Sequence, residues 1–290
     1  MSQWHIFGAG AMGCLIAHRM QQCELPSTLL HHHKEPVEKI IIDGHVETHL
    51  EALPLQTLAH GSIERLLLTT KAGQVQSALA LALPYLTKNA IVASTANGMG
   101  FEKAAQNSIP NHTIHRAIST AGAFRVSADR VRVVSNGTTR MGLPGSSLPS
   151  PQWFNDSLQH LSAWHWESNI EQAIAVKFSI NCIINPLTAE LTCRNGELLD
   201  RGVAKPELKA LCEETQPALI ALGLWSEEED LLATVVSVCQ STAQNNSSML
   251  QDKMAGRLTE VEFLNGELLR RAESLGIDLP LNRALLHSLR

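Results

Sequence analysis

The sequence lacks the features that would indicate a secreted, metal-binding or membrane protein. Its six cysteines contain no C-x-x-C pair, so they match neither a zinc site nor a disulfide framework. The 13 histidines include no H-E-x-x-H motif, and we interpret the run 31–33 as a surface loop rather than a metal site. No apolar run approaches the ~20 residues that span a bilayer, and the N-terminus does not resemble a signal peptide. The sequence therefore predicts a cytoplasmic protein with reduced cysteines and no bound metal.

A large excess of charge of either sign is also absent. The 290 residues include 23 basic and 28 acidic side chains, for a formal net charge of −5. This balance argues against nucleic acid or an anionic membrane as a partner. The length allows a large hydrophobic core and suggests two domains. We therefore expect an enzyme that acts on a small molecule, either as a monomer or as a homodimer.

The N-terminus carries the pattern of a dinucleotide-binding loop. A short apolar strand at 4–7 leads into G-x-G-x-x-G, and an apolar helix follows. In such loops the first glycine makes a tight turn, the second admits a pyrophosphate and the third allows close packing of helix on strand. Free N–H groups at the helix N-terminus then favour the phosphates. A turn that only connects strand to helix is the alternative, but both flanking elements favour cofactor binding. The predicted cofactor-binding residues are Gly8, Ala9, Gly10, Ala11, Met12 and Gly13.

The order of the predicted elements indicates two domains of different class. The first half alternates strands and helices, as in a parallel doubly wound sheet, and the second half shows long helical periodicity. We predict an α/β Rossmann-type domain over residues 1–168 and an all-α domain over 169–290, with the substrate between them. The predicted strands are 4–7, 28–31, 66–70, 90–94 and 113–119, with a hairpin of 131–135 and 139–143 around an Asn-Gly turn. The predicted helices are 11–22, 74–83, 101–106, one from about 153, 170–193, 205–222, 228–245 and 260–275.

Three polar side chains at four-residue spacing characterise the first helix of the second half. Lys177, Asn181 and Asn185 would lie along one face of an otherwise apolar helix, because positions i, i+4 and i+8 stack. A solvated stripe is the ordinary interpretation. Asparagine is a poor helix former, however, so two asparagines on the stripe favour amides placed to bind a ligand.

Other polar residues follow predicted elements. Lys71 and Asn97 each follow a strand, at the carboxyl edge of the sheet. Asn195, Ser248 and Glu260 occur in the helical half, in the contexts Asn-Gly, Ser-Ser and Thr-Glu. Taken one at a time, each has a local explanation as a turn or a helix cap.

Taken together, these segments resemble the ketopantoate reductase (2-dehydropantoate 2-reductase) family over nearly the whole chain. The resemblance implies a helical domain like the C-terminal domain of 6-phosphogluconate dehydrogenase. It also implies NADPH-dependent reduction of 2-dehydropantoate to (R)-pantoate, a step of pantothenate and coenzyme A biosynthesis. It rests on Gly8-Ala-Gly-Ala-Met-Gly13, Lys71, Asn97-Gly-Met-Gly100, Lys177-x3-Asn181-x3-Asn185-Pro-Leu-Thr-Ala189, Cys193-Arg-Asn195-Gly-Glu-Leu198, Ser247-Ser-Met-Leu-Gln-Asp252 and Thr259-Glu260.

The same resemblance implies roles for individual residues. Lys177 would donate the proton to the ketone oxygen, with Glu260 as its catalytic partner. The chemistry agrees, because hydride addition leaves an alkoxide that an ammonium can stabilise and protonate, and a nearby carboxylate keeps the amine charged. Neutral amide and hydroxyl donors bind the substrate without adding charge. By resemblance the substrate-binding residues are Lys177, Asn181, Asn185, Asn195 and Ser248, and further cofactor contacts are Lys71, Asn97, Ala123 and Glu260.

The sequence departs from the family pattern after the second strand. The family commonly has an arginine there for the 2′-phosphate of NADPH, whereas this chain has His31-His32-His33-Lys34. An NAD site would usually have Asp or Glu at that position, which His32 occupies. We expect NADPH to be preferred, with donors from His32, Lys34 or both. Two alternatives remain open: a dehydrogenase for another 2-keto acid or 3-hydroxy acid, or a non-catalytic dinucleotide sensor. The lysine–amide stripe argues against the sensor.

Overall fold

The computed structural model describes residues 2–200, 202 and 204–290, and it divides into two compact units. Unit 1 comprises Met1–Ala96 and Phe101–Ala173. Unit 2 comprises Ile174–Arg290 together with the short segment Asn97–Gly100, which follows a strand of unit 1 in the chain.

Unit 1 is an α/β structure, and its described residues form one sheet of eleven strands. The strands are β1 (Trp4–Phe7), β2 (Ser27–His31), β3 (Val37–Asp43), β4 (Val46–Pro54), β5 (Ile63–Leu68), β6 (Leu86–Ser94), β7 (Ile114–Ser119), β8 (Gly122–Arg125), β9 (Arg130–Ser135), β10 (Thr139–Gly142) and β11 (Trp164–Trp166). The helices are α1 (Ala11–Gln22), α2 (Ala72–Ala82), α3 (Glu102–Ser108) and the short α4 (Gln152–Asn155).

The centre of the sheet has the strand order of dinucleotide-binding folds. The full order is β11-β10-β7-β6-β5-β1-β2-β4-β3-β9-β8. The six strands from β7 to β4 pair in parallel, and counted among themselves they follow the doubly wound order 3-2-1-4-5-6. The order reverses between β1 and β5, and ligands of such sheets bind outside the carboxyl ends of the strands at that point. The predicted Rossmann-type class is confirmed.

The core of unit 1 explains why α1 lies against the sheet. Trp4 and Ile6 of β1 and Cys14 and Ile16 of α1 belong to one buried cluster, and all four are at most 4% exposed. Their burial removes the apolar face of the helix from water, which is the main favourable term for such packing. The helix N-terminus is thereby fixed at the carboxyl end of β1.

The predicted hairpin of residues 131–135 and 139–143 is wrong. β9 pairs with β8 and β3, whereas β10 pairs with β7 and β11. Residues 114–142 instead form one long hairpin, the bent hairpin, whose turn lies near Ser127 and Asp129. Gly137 marks the bend, because a Cβ atom there would collide with the backbone of Ala121. The Asn-Gly pair therefore allows two backbone segments to cross closely, and it does not connect two adjacent strands.

Unit 2 confirms the predicted all-α class, with helices and no strand among its described residues. Two of its helices, Ser248–Met254 and Pro280–Ser288, were not predicted, and the predicted helix 260–275 begins as a single turn of 3-10 helix, Val261–Phe263. Across the described residues, none of the helices has both the length and the apolar character of a membrane span. The helices are α5 (Ile170–Leu191, in unit 2 from Ile174), α6 (Ala204–Ala221), α7 (Leu231–Ser241), α8 (Ser248–Met254), α9 (Asn265–Ser274) and α10 (Pro280–Ser288).

Candidate active site

The glycine-rich loop of unit 1 has the geometry of a phosphate-binding turn. Gly8 has φ +128°, a conformation that side chains strongly disfavour. A Cβ atom on Gly13 would collide with the carbonyl oxygen of Gly8 and lie 2.7 Å from Thr69 Oγ1, so helix and strand pack too closely for any other residue. Gly10 is the N-cap of α1, and no side chain caps that end of the helix. The N–H groups of the first turn, which includes Ala11 and Met12, can therefore bind an anion.

Arg125 is a candidate that the sequence analysis missed. Its guanidinium lies 3.2 Å from where a Cβ atom of Gly10 would be, beside the phosphate-binding turn. Arg125 ends β8 and points to the same face as Ala123, because alternate residues of a strand share a face. It is exposed, and no described carboxylate forms an ion pair with it. The spacing Ala123-x-Arg125 was the available signal, but only long-range pairing shows that this strand lies beside α1.

A second sign of positive charge near α1 comes from Cys14. Burial raises the pKa of the Cys14 thiol to about 11, and the charges of Lys39 and Arg125 act in the opposite direction. Both cations are therefore close enough to influence the first turns of α1. An anionic ligand at the glycine loop would find a favourable field there.

The histidine run after β2 is only partly a surface loop. His31 is the last residue of β2 and is 5% exposed, so the loop interpretation is wrong for it. Its Nε2 lies 3.0 Å from the carbonyl oxygen of Ala52, and burial lowers its pKa. His32 and His33 are exposed, and their ring centroids are 4.1 Å apart. Within the described chain, no group of three or more His, Cys, Asp or Glu residues could hold a metal.

The remaining candidates of unit 1 follow strands, as predicted. Lys71 is the N-cap of α2, three residues after the end of β5. His32 follows β2 directly, and Lys34 is exposed nearby in sequence. These residues follow the carboxyl ends of β2 and β5, the two neighbours of β1 in the sheet.

In unit 2, three candidates that are far apart in sequence come together. Lys177 Nζ donates a hydrogen bond to Asn97 Oδ1 at 2.8 Å, across 80 positions of the chain. Asn97 Nδ2 in turn donates to Glu260 Oε2 over a long distance of 3.5 Å. All three side chains are half-buried. Because the amide oxygen of Asn97 accepts from the amine, its orientation is determined, and Asn97 bridges the ammonium to the carboxylate.

The loop that carries Asn97 is held by close backbone contacts within unit 2. Met99 N donates to Phe263 O at 2.9 Å. Gly98 has φ +79°, and a Cβ atom on it would collide with Phe263 O. The loop therefore lies directly against the segment that follows Glu260, and its glycines permit that approach. This explains how Asn97 reaches Glu260.

Asn181 and Asn185 lie on α5, one and two turns beyond Lys177. Asn181 is half-buried and Asn185 is 8% exposed. The long helix and its buried apolar side were predicted, and Phe178 and Ile183 are at most 2% exposed. The polar face therefore belongs to the helix as predicted, although Asn185 is more enclosed than a solvated stripe would be.

Ser248 is brought towards α5 by its neighbour. Thr188 Oγ1 donates to Ser247 Oγ at 2.6 Å, and Ser247 caps α8 by accepting from Leu250 N at 3.0 Å. The local interpretation as a cap therefore holds for Ser247, while Ser248 is the exposed first residue of α8. The cap attaches α8 to the last turns of α5.

Asn195 is held at the end of α7. Its backbone N–H donates to Asn245 O at 3.0 Å, and its Nδ2 donates to Thr242 Oγ1 at 2.9 Å. The side chain is 8% exposed, and its Oδ1 has no hydrogen-bond partner among the described residues. An unsatisfied buried acceptor is costly, and this oxygen is enclosed by the protein.

The polar groups of unit 2 suit a small anionic molecule with a carbonyl group. An ammonium presents three donors, and the acceptor oxygen of Asn97 orients one of them. Amides and a serine hydroxyl offer further donors and acceptors. This set can bind a carboxylate, orient a keto oxygen and deliver a proton to it.

Comparison with known proteins identifies related sequences and structures. Residues 4–145 match the family model of ketopantoate reductase PanE/ApbA, and residues 169–290 match the model of its C-terminal part. A 2-dehydropantoate 2-reductase of Vibrio cholerae is 33% identical over 282 residues, 97% of this chain and 94% of the relative. A Bacillus subtilis structure described as "probable 2-dehydropantoate 2-reductase" has a TM-score of 0.82 at 27% identity, covering 99% of each chain. D-mandelate dehydrogenase, solved with NADH and anilino(oxo)acetate, shares the fold, with a TM-score of 0.85 at 21% identity over 99% of this chain and 97% of that chain.

Proposed function

The chain belongs to the ketopantoate reductase PanE/ApbA family, and from that premise we propose that it reduces 2-dehydropantoate to (R)-pantoate with NADPH. The reaction makes it an oxidoreductase acting on a CH–OH group, in the cytoplasmic route to pantothenate and coenzyme A. One structural observation supports the proposal in addition to the family membership. Lys177, on the polar face of α5, donates a hydrogen bond to Asn97, which also contacts Glu260.

The residues of unit 1 suit a nicotinamide dinucleotide. When bound, the cofactor supplies the hydride. The turn from Gly8 to Gly13 and the first turn of α1 would hold the pyrophosphate, and Arg125 would add a cation beside it. His32 and Lys34 would supply donors to a 2′-phosphate. Lys71 and Ala123 are the further cofactor contacts that we propose in unit 1, and Asn97 is one that we propose in unit 2.

The residues of unit 2 would handle the proton and the substrate. Lys177 donates a proton to the ketone oxygen as the carbonyl carbon receives the hydride, and water then reprotonates the amine. Glu260, connected through Asn97, favours the charged amine. Asn181, Asn185, Asn195 and Ser248 would hold the carboxylate and hydroxyl of the keto acid. The protein thus supplies orientation and electrostatics.

The test is steady-state oxidation of NADPH by the purified protein with 2-dehydropantoate. A panel of 2-keto acids that includes benzoylformate is assayed beside it, and each substrate is also tested with NADH. We expect the highest kcat/KM for 2-dehydropantoate with NADPH. A higher kcat/KM for benzoylformate or another keto acid would assign a different 2-keto-acid dehydrogenase. Tight NADPH binding without turnover of any keto acid would assign a dinucleotide sensor.

A further inference from the structure

A proline interrupts α5 immediately after Asn185. Pro186 lies inside the helix, and proline has no N–H with which to bond the carbonyl four residues earlier. That carbonyl belongs to Cys182, a residue with 0% exposure, so water does not replace the missing donor. A buried carbonyl without a donor is costly. The carbonyl of Cys182, between Asn181 and Asn185 in the chain, therefore needs another hydrogen-bond donor.

Asn265 provides that donor. Its Nδ2 donates to Cys182 O at 2.9 Å, and the same amide nitrogen donates to Asn282 Oδ1 at 2.8 Å. Asn265 is 0% exposed and is the first residue of α9. An amide rotated by half a turn would set its oxygen against both acceptors, so only one orientation satisfies them. Both N–H groups of Asn265 are thus used, and the side chain is held in place.

Asn282 is itself anchored on α6. Its Nδ2 donates to Glu214 Oε1 at 2.9 Å and to Thr215 Oγ1 at 2.8 Å, and its backbone N–H also donates to Glu214 Oε1. Thr215 is 0% exposed, as Asn282 is. A buried chain of hydrogen bonds therefore runs from α6 through Asn282 and Asn265 to the carbonyl of Cys182. The side-chain N–H groups of both asparagines are paired in it, while Asn265 Oδ1 is buried without a hydrogen-bond partner among the described residues.

We propose that Asn265 is a positioning residue for the keto acid. By bonding the carbonyl that Pro186 leaves free, it sets the bend of α5 between Asn181 and Asn185 and so the directions of their amides. A proline in a helix bends it, and the groups that satisfy the freed carbonyl determine by how much. The inference rests on the proposed function, in which these two amides hold the substrate. Asn265 acts through the helix and does not touch the reacting atoms.

A double-mutant cycle tests this role. Asn265→Ala removes the donor, and Pro186→Ala restores a backbone N–H that can bond Cys182 O. We expect Asn265→Ala to raise the KM for 2-dehydropantoate about tenfold, while the KM for NADPH changes by less than about twofold. In the Pro186→Ala background the same substitution should change the KM for 2-dehydropantoate by less than about threefold, because the carbonyl already has a donor.

Two further variants separate positioning from stability. Asn265→Leu keeps the side-chain volume without donors, so it replaces the alanine variant in the same cycle if that variant does not fold. Thr215→Val breaks the same network at its far end and leaves the bond to Cys182, so we expect a lower Tm and an unchanged KM.

Equal increases in KM in both backgrounds would overturn the role of Asn265. So would a Thr215→Val variant whose KM rises as much as that of Asn265→Ala. A wild-type protein that does not reduce 2-dehydropantoate would instead overturn the proposed function, which distinguishes the two failures.

Discussion

Removal of the amine of Lys177 should abolish most of the catalytic activity and leave the protein folded. Lys177→Ala deletes the proton donor and the charge that faces the developing alkoxide. General acid catalysis contributes roughly 10²–10⁴-fold, and the lost electrostatic stabilisation places the expected fall in kcat at the upper end of that range. The loss should appear in kcat rather than in KM, because the interaction strengthens as charge develops on the oxygen.

The structure also sets how much stability the substitution costs. The deleted contacts include the charge-assisted hydrogen bond from Nζ to Asn97 Oδ1 at 2.8 Å. Such bonds are worth about 1.5–3 kcal/mol when buried, and exposure weakens them. Because Lys177 is half-buried, we expect the loss of that bond to lower the free energy of unfolding by about 1 kcal/mol. The variant should therefore remain folded.

Lys253 offers a matched control for this experiment. Lys253 lies on α8, and its Nζ donates to the backbone oxygen of Ala189 on α5 at 2.7 Å. Like Lys177, it is therefore a lysine that donates a hydrogen bond to an oxygen within unit 2. Lys253→Ala should keep kcat within about twofold of wild type, since no step of the reaction needs that amine.

The assay is steady-state oxidation of NADPH with saturating 2-dehydropantoate, together with calorimetric titration of NADPH. Lys177→Ala should bind NADPH as the wild type does. If a folded Lys177→Ala protein keeps more than about a tenth of wild-type kcat, the contribution of Lys177 is too small for a general acid. We would then withdraw the catalytic role.

Three other predictions concern the cofactor, the substrate and acid stability. Arg125→Ala should raise the Kd of both NADPH and NADH about tenfold, as measured by calorimetry. Arg132→Ala, on the opposite face of the bent hairpin, should leave both Kd values unchanged. Equal effects of the two substitutions would refute the phosphate contact. Asn181→Ala and Ser248→Ala should raise the KM for the keto acid with an unchanged Kd for NADPH, and the reverse pattern would reassign both residues to the cofactor. Burial lowers the pKa of His5, so its unfolded form takes up a proton at a higher pH than its folded form. Stability should therefore fall as the pH drops below about 6.5, and His5→Phe should make Tm less dependent on pH.

The sequence predicted those parts of the fold that depend on local pattern. The alternation of strands and helices led to the parallel sheet, and β1 and α1 have the predicted bounds. The stripe from Lys177 to Asn185 follows from helical periodicity alone, and the structure shows it on α5. In each case neighbouring residues contain the information, because periodicity and turn chemistry act over a few positions.

The errors occurred where long-range pairing overrides a local signal. The Asn-Gly pair before Thr138 reads as a hairpin turn, yet the residues on its two sides pair with different strands. Arg125 lies beside Gly10 only because β8 approaches α1, which no local pattern records. The donor from Asn265 to Cys182 spans 83 positions. Pro186 lies within the range of the predicted helix 170–193, but the sequence could not show which residue would bond the freed carbonyl.

The bent hairpin has a consequence for the way the sheet of unit 1 can open. One of its halves pairs β10 onto β7 at one end of the parallel strands, and the other pairs β9 onto β3, the strand that borders β4 at their other end, so a single piece of chain takes part in both ends of the sheet. The strands left outermost, β11 and β8, have three and four residues and offer little backbone for pairing with another molecule. Separation of β10 from β7, or of β9 from β3, would reach the bend at Gly137, through which the two halves are joined. The two ends of the sheet should therefore exchange their amide hydrogens as one cooperative unit, although nine strands lie between β11 and β8.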